Sequence, residues 1–280
     1  MELLRLADVP ASEGELEFRH SPARALLALS AGLGGGAALL WAGWRTRSWL
    51  PAAAGGVVLL TLLVLRRLAL ARLRPSNWLL RVTDGGLFIQ FRSHLNWHLP
   101  GEDLTVVFVP GREIRAVRLV RQRRLLPAAE RGGRITQQRR RLVEFELAGD
   151  CAALARALAE ERARRAPRER RWYGSTSTLY RHHPLRMSSP TTLQLEWCVV
   201  PSHRVLFERL GRHASVAPET RVEVDFRHLR QLPRREQDER LLELVETGEV
   251  VAAIQAAREI HSLGLTEARA LVEGLRRRGQ

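Results

Sequence analysis

Two long apolar runs separated by only four residues constrain this chain more than anything else in it. Ala25 to Trp44 is a run of twenty residues without a charge. That is the length a hydrocarbon core of roughly 30 Å demands at ~1.5 Å per helical residue. The second run, Trp49 to Leu65, is shorter, but Arg66 and Arg67 can snorkel and the apolar stretch resumes at Leu68, so it is also expected to span. The Arg-Thr-Arg-Ser link forces an antiparallel transmembrane hairpin over residues 25–74, with spans 25–44 and 49–73 and both termini on one side. Arg19, Arg24, Arg66, Arg67, Arg72 and Arg74 outnumber Arg45 and Arg47 of the turn, which places both termini in the cytoplasm. A cleaved signal peptide is the competing reading, opposed by the acidic leading segment, residues 1–24, with Glu2, Asp8, Glu13, Glu15 and Glu17.

Inside the first run, GLGGGA at 32 to 37 matches the loose dinucleotide pattern G-x-G-x-x-A. No strand precedes it, so it reads as small-residue helix packing instead. Gly32 with Gly36, and Ala52 with Gly56, have the four-residue spacing that lets two helix backbones approach. Trp41, Trp44 and Trp49 gather at the turn, where interfacial aromatics belong.

The 45 basic residues are all Arg, against 30 acidic ones, giving a net charge of +15. With Ala, Leu and Gly also abundant, this reads first as a high-GC bacterial genome and second as a preference for anionic partners. Cys151 and Cys198 lie 47 positions apart with no ligand spacing around them, which argues for a reducing compartment and against a disulfide framework or zinc ribbon.

After Pro75 the pattern alternates. WLLRV (78–82), LFIQF (87–91) and LTVVF (104–108) read as strands, with TDGG (83–86) as a hairpin turn. EIRAVRLVRQR (113–123) and RRRLVEFEL (139–147) read as two longer strands, the second with Val143, Phe145 and Leu147 on one face and Glu144 and Glu146 on the other. A helix follows, with Asp150 as N-cap and pairs Glu160–Arg164 and Glu161–Arg165. After a polar connector (166–184), Leu193, Leu195, Trp197 and Val199 share a strand face, a short helix spans about Ser202 to Leu210, and RVEVDF (221–226) is a strand. The expected fold class is α+β: the membrane hairpin, a strand-rich antiparallel cytoplasmic domain over 76–230 and a small helical module over 236–280. Hairpin plus strand domain, over residues 25 to about 148, resembles the bacterial pleckstrin-homology-like membrane proteins.

Candidate sites are few. His94 and His98 have i,i+4 spacing, but the position after the first His is Leu95 rather than the Glu of catalytic zinc helices, and Pro100 and Gly101 make the segment a loop. His182 and His183, being adjacent, do not converge on a metal. Cys151 near a helix start is either a thiol with lowered pKa or an inert half-buried one. No catalytic set, cofactor or metal is therefore expected. The Arg-rich hairpin from Arg112 to Arg141 holds eleven Arg and two acids. Either it is a solvated ribbon, or Arg115, Arg118, Arg121, Arg139, Arg140 and Arg141 contact anionic lipid. Nucleic acid is a third reading, weakened by the lack of interleaved aromatics for stacking.

From Glu236 the period becomes helical in three segments, with Gly248 and Gly264 as stops and Ala268, Leu271, Val272 and Leu275 on one face. AAIQAAREIHSLGLTEARALVE, within residues 248 to 274, is similar to the helical pair of the ribosomal stalk protein's C-terminal domain. The resemblance implies a protein-docking element in which Ile254, Arg258 and Arg269 agree with that family's factor-binding surface, while Val250, Gln255 and Thr266 stand where it carries Lys. The bland alternative is that these helices cap the strand domain, using Leu241, Val245, Ile254 and Leu271 as core. The expected function is a bacterial inner-membrane adaptor or scaffold recruiting a protein partner. The alternative is a membrane-associated enzyme using His94, His98 or Cys151, or an anionic-lipid or nucleic-acid binder.

Overall fold

The computed structural model describes residues 1–10, 16–93, 96, 105–126, 136–149, 151–164, 170–171, 174–175, 182–226, 229–246 and 249–278. In chain order, strands Glu2–Arg5 (β1) and Leu16–Arg19 (β2) precede helices Pro22–Thr46 (α1) and Trp49–Ala71 (α2). Strands Trp78–Val82 (β3), Gly86–Gln90 (β4), Thr105–Pro110 (β5), Ile114–Leu126 (β6) and Thr136–Leu147 (β7) lead to helix Ala152–Ala163 (α3). Arg170–Arg171 (β8) and Gly174–Ser175 (β9) form a two-residue ladder, followed by Leu185–Ser189 (β10), Thr192–Glu196 (β11) and helix His203–Leu210 (α4). Ser215–Val216 (β12) and Thr220–Asp225 (β13) precede three helices, Arg234–Glu246 (α5), Val250–His261 (α6) and Leu265–Arg278 (α7).

The chain is a mixed α+β structure with two main sheets. The first has strand order β1-β5-β4-β3-β2, all antiparallel; the second runs β10-β11-β7-β6-β12, with β13 also on β6. The leading segment thus supplies two strands of the first sheet. β2 pairs with β3, Phe18 opposite Leu80, so the α1–α2 pair is an insertion between two hydrogen-bonded neighbours. Its feet are held one strand spacing apart, roughly 5 Å. Ser21 caps α1 by accepting from the Arg24 amide, Pro22 occupies the first turn, and Asn77 Nδ2 donates to the carbonyls of His20 (3.0 Å) and Arg72 (2.5 Å), tying the two feet together.

Gly32 and Gly36 face the second helix as expected: a Cβ on Gly36 would lie 2.8 Å from Leu59 and one on Gly32 2.9 Å from Leu62. On α2 the close approach is at Gly55, not Gly56. A Cβ there would sit 2.7 Å from the Gly36 carbonyl oxygen, whereas Gly56 faces open space. The partner of Ala52 is Gly43, at 2.7 Å by the same measure. Among the described residues α1 alone is long and apolar enough to cross a membrane; the apolar part of α2 is the shorter Trp49–Val64.

The two sheets enclose the main core. Leu79, Ile89, Val107 and Val109 of the first meet Val117, Leu119, Val143, Phe145, Leu193 and Leu195 of the second, with Leu158 of α3 and Leu206 of α4 closing the sides. Each such side chain contributes about 1.5–3 kcal/mol relative to exposure. The TDGG turn is present, Thr83 and Gly86 exchanging backbone hydrogen bonds. Gly86 has φ +152, and a Cβ on it would lie 2.3 Å from the Val109 carbonyl oxygen, so only glycine fits. The second sheet departs from an all-antiparallel expectation, since β12 and β13 run parallel to β6.

Other local expectations are corrected. Cys151 occupies the N-cap position of α3, and Asp150 and Arg165 lie outside the described residues. Glu161 does not point to solvent. It is buried against the equally buried Arg92, accepts from Thr105 Oγ1 (2.9 Å) and lies 3.7 Å from Arg164. The residue that ends α6 in the left-handed region is Ser262 (φ 54), while Gly264 starts α7, its amide donating to Glu267 Oε2 at 3.0 Å. Gly248 lies outside the described residues.

Helices α5, α6 and α7 have their own core of Leu241, Leu244, Ala253, Ala257, Ala268 and Val272, and it is completed by Val224 and Phe226 at the end of β13. Replacing Gly55 by Leu is expected to separate α1 from α2 and lower the thermal stability of the purified chain, while Gly56→Leu leaves it unchanged. Equal effects would contradict the close approach at Gly55.

Candidate functional site

The β6–β7 ribbon is built from strands whose two faces meet different surroundings. Val117 and Leu119 on β6, opposite Phe145 and Val143 on β7, point into the main core. Further along the same face, beyond the reach of the core, stand Arg121 opposite Arg141 and Arg123 opposite Arg139, all exposed. Like charges directly across a ladder repel. Arg121 is met by Glu219 at 2.7 Å and Arg123 by Glu223 at 3.5 Å. Among the described residues neither Arg139 nor Arg141 has a carboxylate partner.

The opposite face is covered by the C-terminal helices. Arg124, 1% exposed, donates to Gln122 Oε1 (2.8 Å) and to Glu243 of α5 (2.8 Å), with its guanidinium 5.6 Å from the Phe226 ring centre. Glu243 also receives Arg186 at 3.1 Å and Arg240 at 3.0 Å. Arg140, 7% exposed, bridges Glu196 (3.2 Å) and Glu249 (2.9 Å), which also accepts from Gln138. Burial pushes the Arg124 pKa down to about 10 against the opposing pull of Glu243. For Glu243, burial works upward, but Arg186, Arg124 and Arg240 outweigh it and hold the carboxyl below its usual range.

The six Arg singled out by sequence therefore divide. Arg121, Arg139 and Arg141 lie on the exposed ribbon face. Arg115, also exposed, sits at the bulge near the start of β6 and donates to the Ala148 carbonyl. Arg118 is bound to Glu144, which also accepts from Gln194. Arg140 is not a surface contact but a buried tie between β7, β11 and α6. Glu144, expected to face water, is buried between Arg118 and Gln194 of the neighbouring strands.

The exposed face lies near the feet of the helical pair. The Trp197 amide donates to the Arg141 carbonyl at 2.8 Å, and Val200, three residues on, exchanges two 2.9 Å backbone hydrogen bonds with Arg19, which precedes α1. That link is at most about 10 Å of extended chain. His203, at the start of α4, reports the crowding. Burial, then Arg141, Arg204 and Arg121, hold its imidazole below the ordinary pKa. At the foot itself His20 stacks on His183 (5.5 Å) and lies 3.8 Å from Cys198 Sγ. Burial and Arg72 push the His20 pKa down to about 4.

Of the remaining candidates, His94 and His98 lie outside the described residues. No group of three or more potential metal ligands occurs among those described. Cys151 is buried beside Met1, its thiol directed to the Gly149 carbonyl at 3.2 Å. On the C-terminal helices Ile254 packs half-buried against the helical core, while Arg258 and Arg269 are exposed, the latter 3.0 Å from Glu273.

Removing Glu243 leaves Arg124 buried without its main counter-charge. Glu243→Ala is expected to destabilise the full chain by about 3–5 kcal/mol in chemical denaturation, whereas Glu273→Ala, at an exposed pair, costs less than about 0.5 kcal/mol. Because the folded Glu243 carboxyl titrates below its unfolded value, its contribution is complete above the unfolded pKa and is lost as pH falls through the folded one. The gap between wild type and Glu243→Ala is expected to narrow on acidification, and a gap independent of pH would contradict the ion-pair assignment. No protein-family model, curated protein or solved structure matches the chain, which leaves these Arg and Glu positions as the guide to what it does.

Proposed function

We propose that the chain is a bacterial inner-membrane adaptor. In this reading α1 and α2 span the bilayer as a hairpin, both termini are cytoplasmic, and the two-sheet domain lays Arg121, Arg123, Arg139 and Arg141 on anionic headgroups. The observation that carries it is the position of four exposed guanidinium groups within a short chain segment of the hairpin's foot, facing each other across the ladder where like charges repel, with Arg139 and Arg141 lacking a carboxylate partner among the described residues. Anionic headgroups relieve that repulsion, at about 1 kcal/mol per basic group near a charged leaflet.

Support for the spans comes from the surface of the helical pair. Leu27, Val57, Leu60 and Val64 are exposed along it, and Trp44 and Trp49, 77% and 74% exposed, flank the turn, a pattern suited to lipid with aromatics at the interface. Arg66 is exposed and free to snorkel beyond the apolar part of α2. The pairing of β2 with β3 favours one common side for the two feet.

The docking part of the reading rests on the outer face of α6 and α7. Val251 and Leu265 are exposed there beside Arg258 and Arg269, while α5 and the start of α6 are tied to the ribbon. Capping and recruitment are thus carried by opposite faces of one module.

Reporter fusions after Gln280 and at Thr46 are expected to give cytoplasmic and periplasmic signals respectively; a periplasmic C-terminus would overturn the reading. For the lipid contact, the whole chain belongs in nanodiscs, because a fragment from residue 76 lacks two strands of the first sheet. Modification by phenylglyoxal at Arg121, Arg139 and Arg141 is expected to slow severalfold when zwitterionic lipid is replaced by acidic lipid, and to recover as salt screens the attraction. Arg269 serves as the unaffected control. Equal modification in both lipids would remove the headgroup assignment, and protection by added RNA alone would favour nucleic acid.

A further inference from the structure

A second cationic site lies at the other end of the first sheet, apart from the ribbon and from the feet of the helical pair. β3 leaves the foot at Trp78 and reaches the Thr83–Gly86 turn about 17 Å further on. There a cleft of about 720 Å³ opens between that turn, the β5–β6 junction and the end of α4. Its size falls in the range of small-molecule sites, about 300–1,000 Å³. Buried Val82, Ile114 and Leu210, with the half-buried Phe108, give it an apolar floor.

The mouth is basic. Arg112, Arg209, Arg212 and His213 line it, and among the described residues the acidic one lining it is Asp84. Asp84 is almost fully exposed and holds Arg209 at 2.8 Å. The nearby Glu113 is engaged by the Met1 ammonium at 3.3 Å. The end of α4 is partly capped by its own backbone. The Phe207 carbonyl takes the Gly211 amide (2.8 Å), and the Leu210 carbonyl takes those of His213 (2.9 Å) and Ala214 (2.8 Å). The turn wall is fixed, since Gly86 admits no side chain.

We propose that this cleft binds a phosphate-bearing small molecule with an apolar body, such as a nucleoside diphosphate. Arg112, Arg209 and Arg212 clamp the phosphate oxygens, and Phe108, Ile114 and Leu210 receive the body. Guanidinium groups suit phosphate because they donate two parallel hydrogen bonds to adjacent oxygens. Asp84 holds Arg209 where a phosphate would sit, so it competes with the ligand.

The test uses the full chain in zwitterionic nanodiscs, titrated calorimetrically with inorganic pyrophosphate and, separately, with ADP. Both are expected to saturate at one site, ADP more tightly because of the apolar floor. The double change Arg112→Gln with Arg212→Gln, at exposed side chains, is expected to weaken both by at least about tenfold. Asp84→Asn is expected to tighten them severalfold, a gain that a merely structural Asp84–Arg209 pair does not give. Arg121→Gln with Arg141→Gln is expected to change neither. No saturable binding, binding indifferent to the Arg112 and Arg212 changes, or loss on altering Arg121 and Arg141 instead would each overturn the proposal. If acidic-lipid nanodiscs abolish pyrophosphate binding in an Arg112- and Arg212-dependent way, a headgroup occupies the cleft and the soluble ligand is wrong.

Discussion

Everything in this molecule is organised around the ladder between β2 and β3. Leu16, Glu17 and Phe18 pair with Val82, Arg81 and Leu80, and Arg81 also reaches the Glu17 carboxylate at 2.7 Å. Between these strands the chain makes its whole helical excursion. Two strands that hydrogen-bond side by side fix the separation and the direction of what they emit, so the helical pair has little freedom to splay at its base. The contacts higher up, Gly36 against Gly55 and Gly43 against Ala52, then extend an alignment already set by the sheet. In connectivity the helical pair is an overgrown β-turn, and the domain's ladder does not depend on the pair being long.

The second organising element is the ribbon with two coats. One half of β6–β7 is covered by the first sheet and shares its core; the other half is covered on the reverse side by α5 and α6. At Leu119–Val120 and Leu142–Val143 the strands are apolar and buried on both faces. Where only the helices remain, the covered face is polar and saturated by carboxylates and the uncovered face is cationic. A single strand pair thus changes from core to polar interface to charged surface along its length, and the change tracks what lies above each residue.

Much of this was legible in the sequence wherever one face alone was buried. Val143, Phe145 and Leu147, and Leu193, Leu195, Trp197 and Val199, alternate because water lies on, or polar partners fill, the other side. The Thr83–Gly86 turn was legible because glycine there answers a local steric demand. β1, β2 and β10 were not, since Glu2–Arg5, Leu16–Arg19 and Leu185–Ser189 are short and become strands through distant partners. The site was half legible. Counting Arg finds the ribbon but not which face each guanidinium takes, and the partner that buries Arg124 is 119 residues away. The adjacent Leu-Val pairs at 119–120 and 142–143 were the available signal that both faces are covered. Choosing Gly55 over Gly56 required the rotation of one helix against the other, which two neighbouring glycines do not encode.

The dependence of Arg124 and Arg140 on Glu243 and Glu249 also imposes an order in time. During synthesis the ribbon, ending at Leu147, is complete well before α5, beginning at Arg234, follows it from the ribosome. Through that interval the cationic side chains of both faces lack the carboxylates of the C-terminal helices. A desolvated guanidinium without its counter-ion is unfavourable, so this face stays wet and the second coat forms last. The arrival of α5 is then the event that turns a polycationic ribbon, positive on both sides, into a surface with a single charged face.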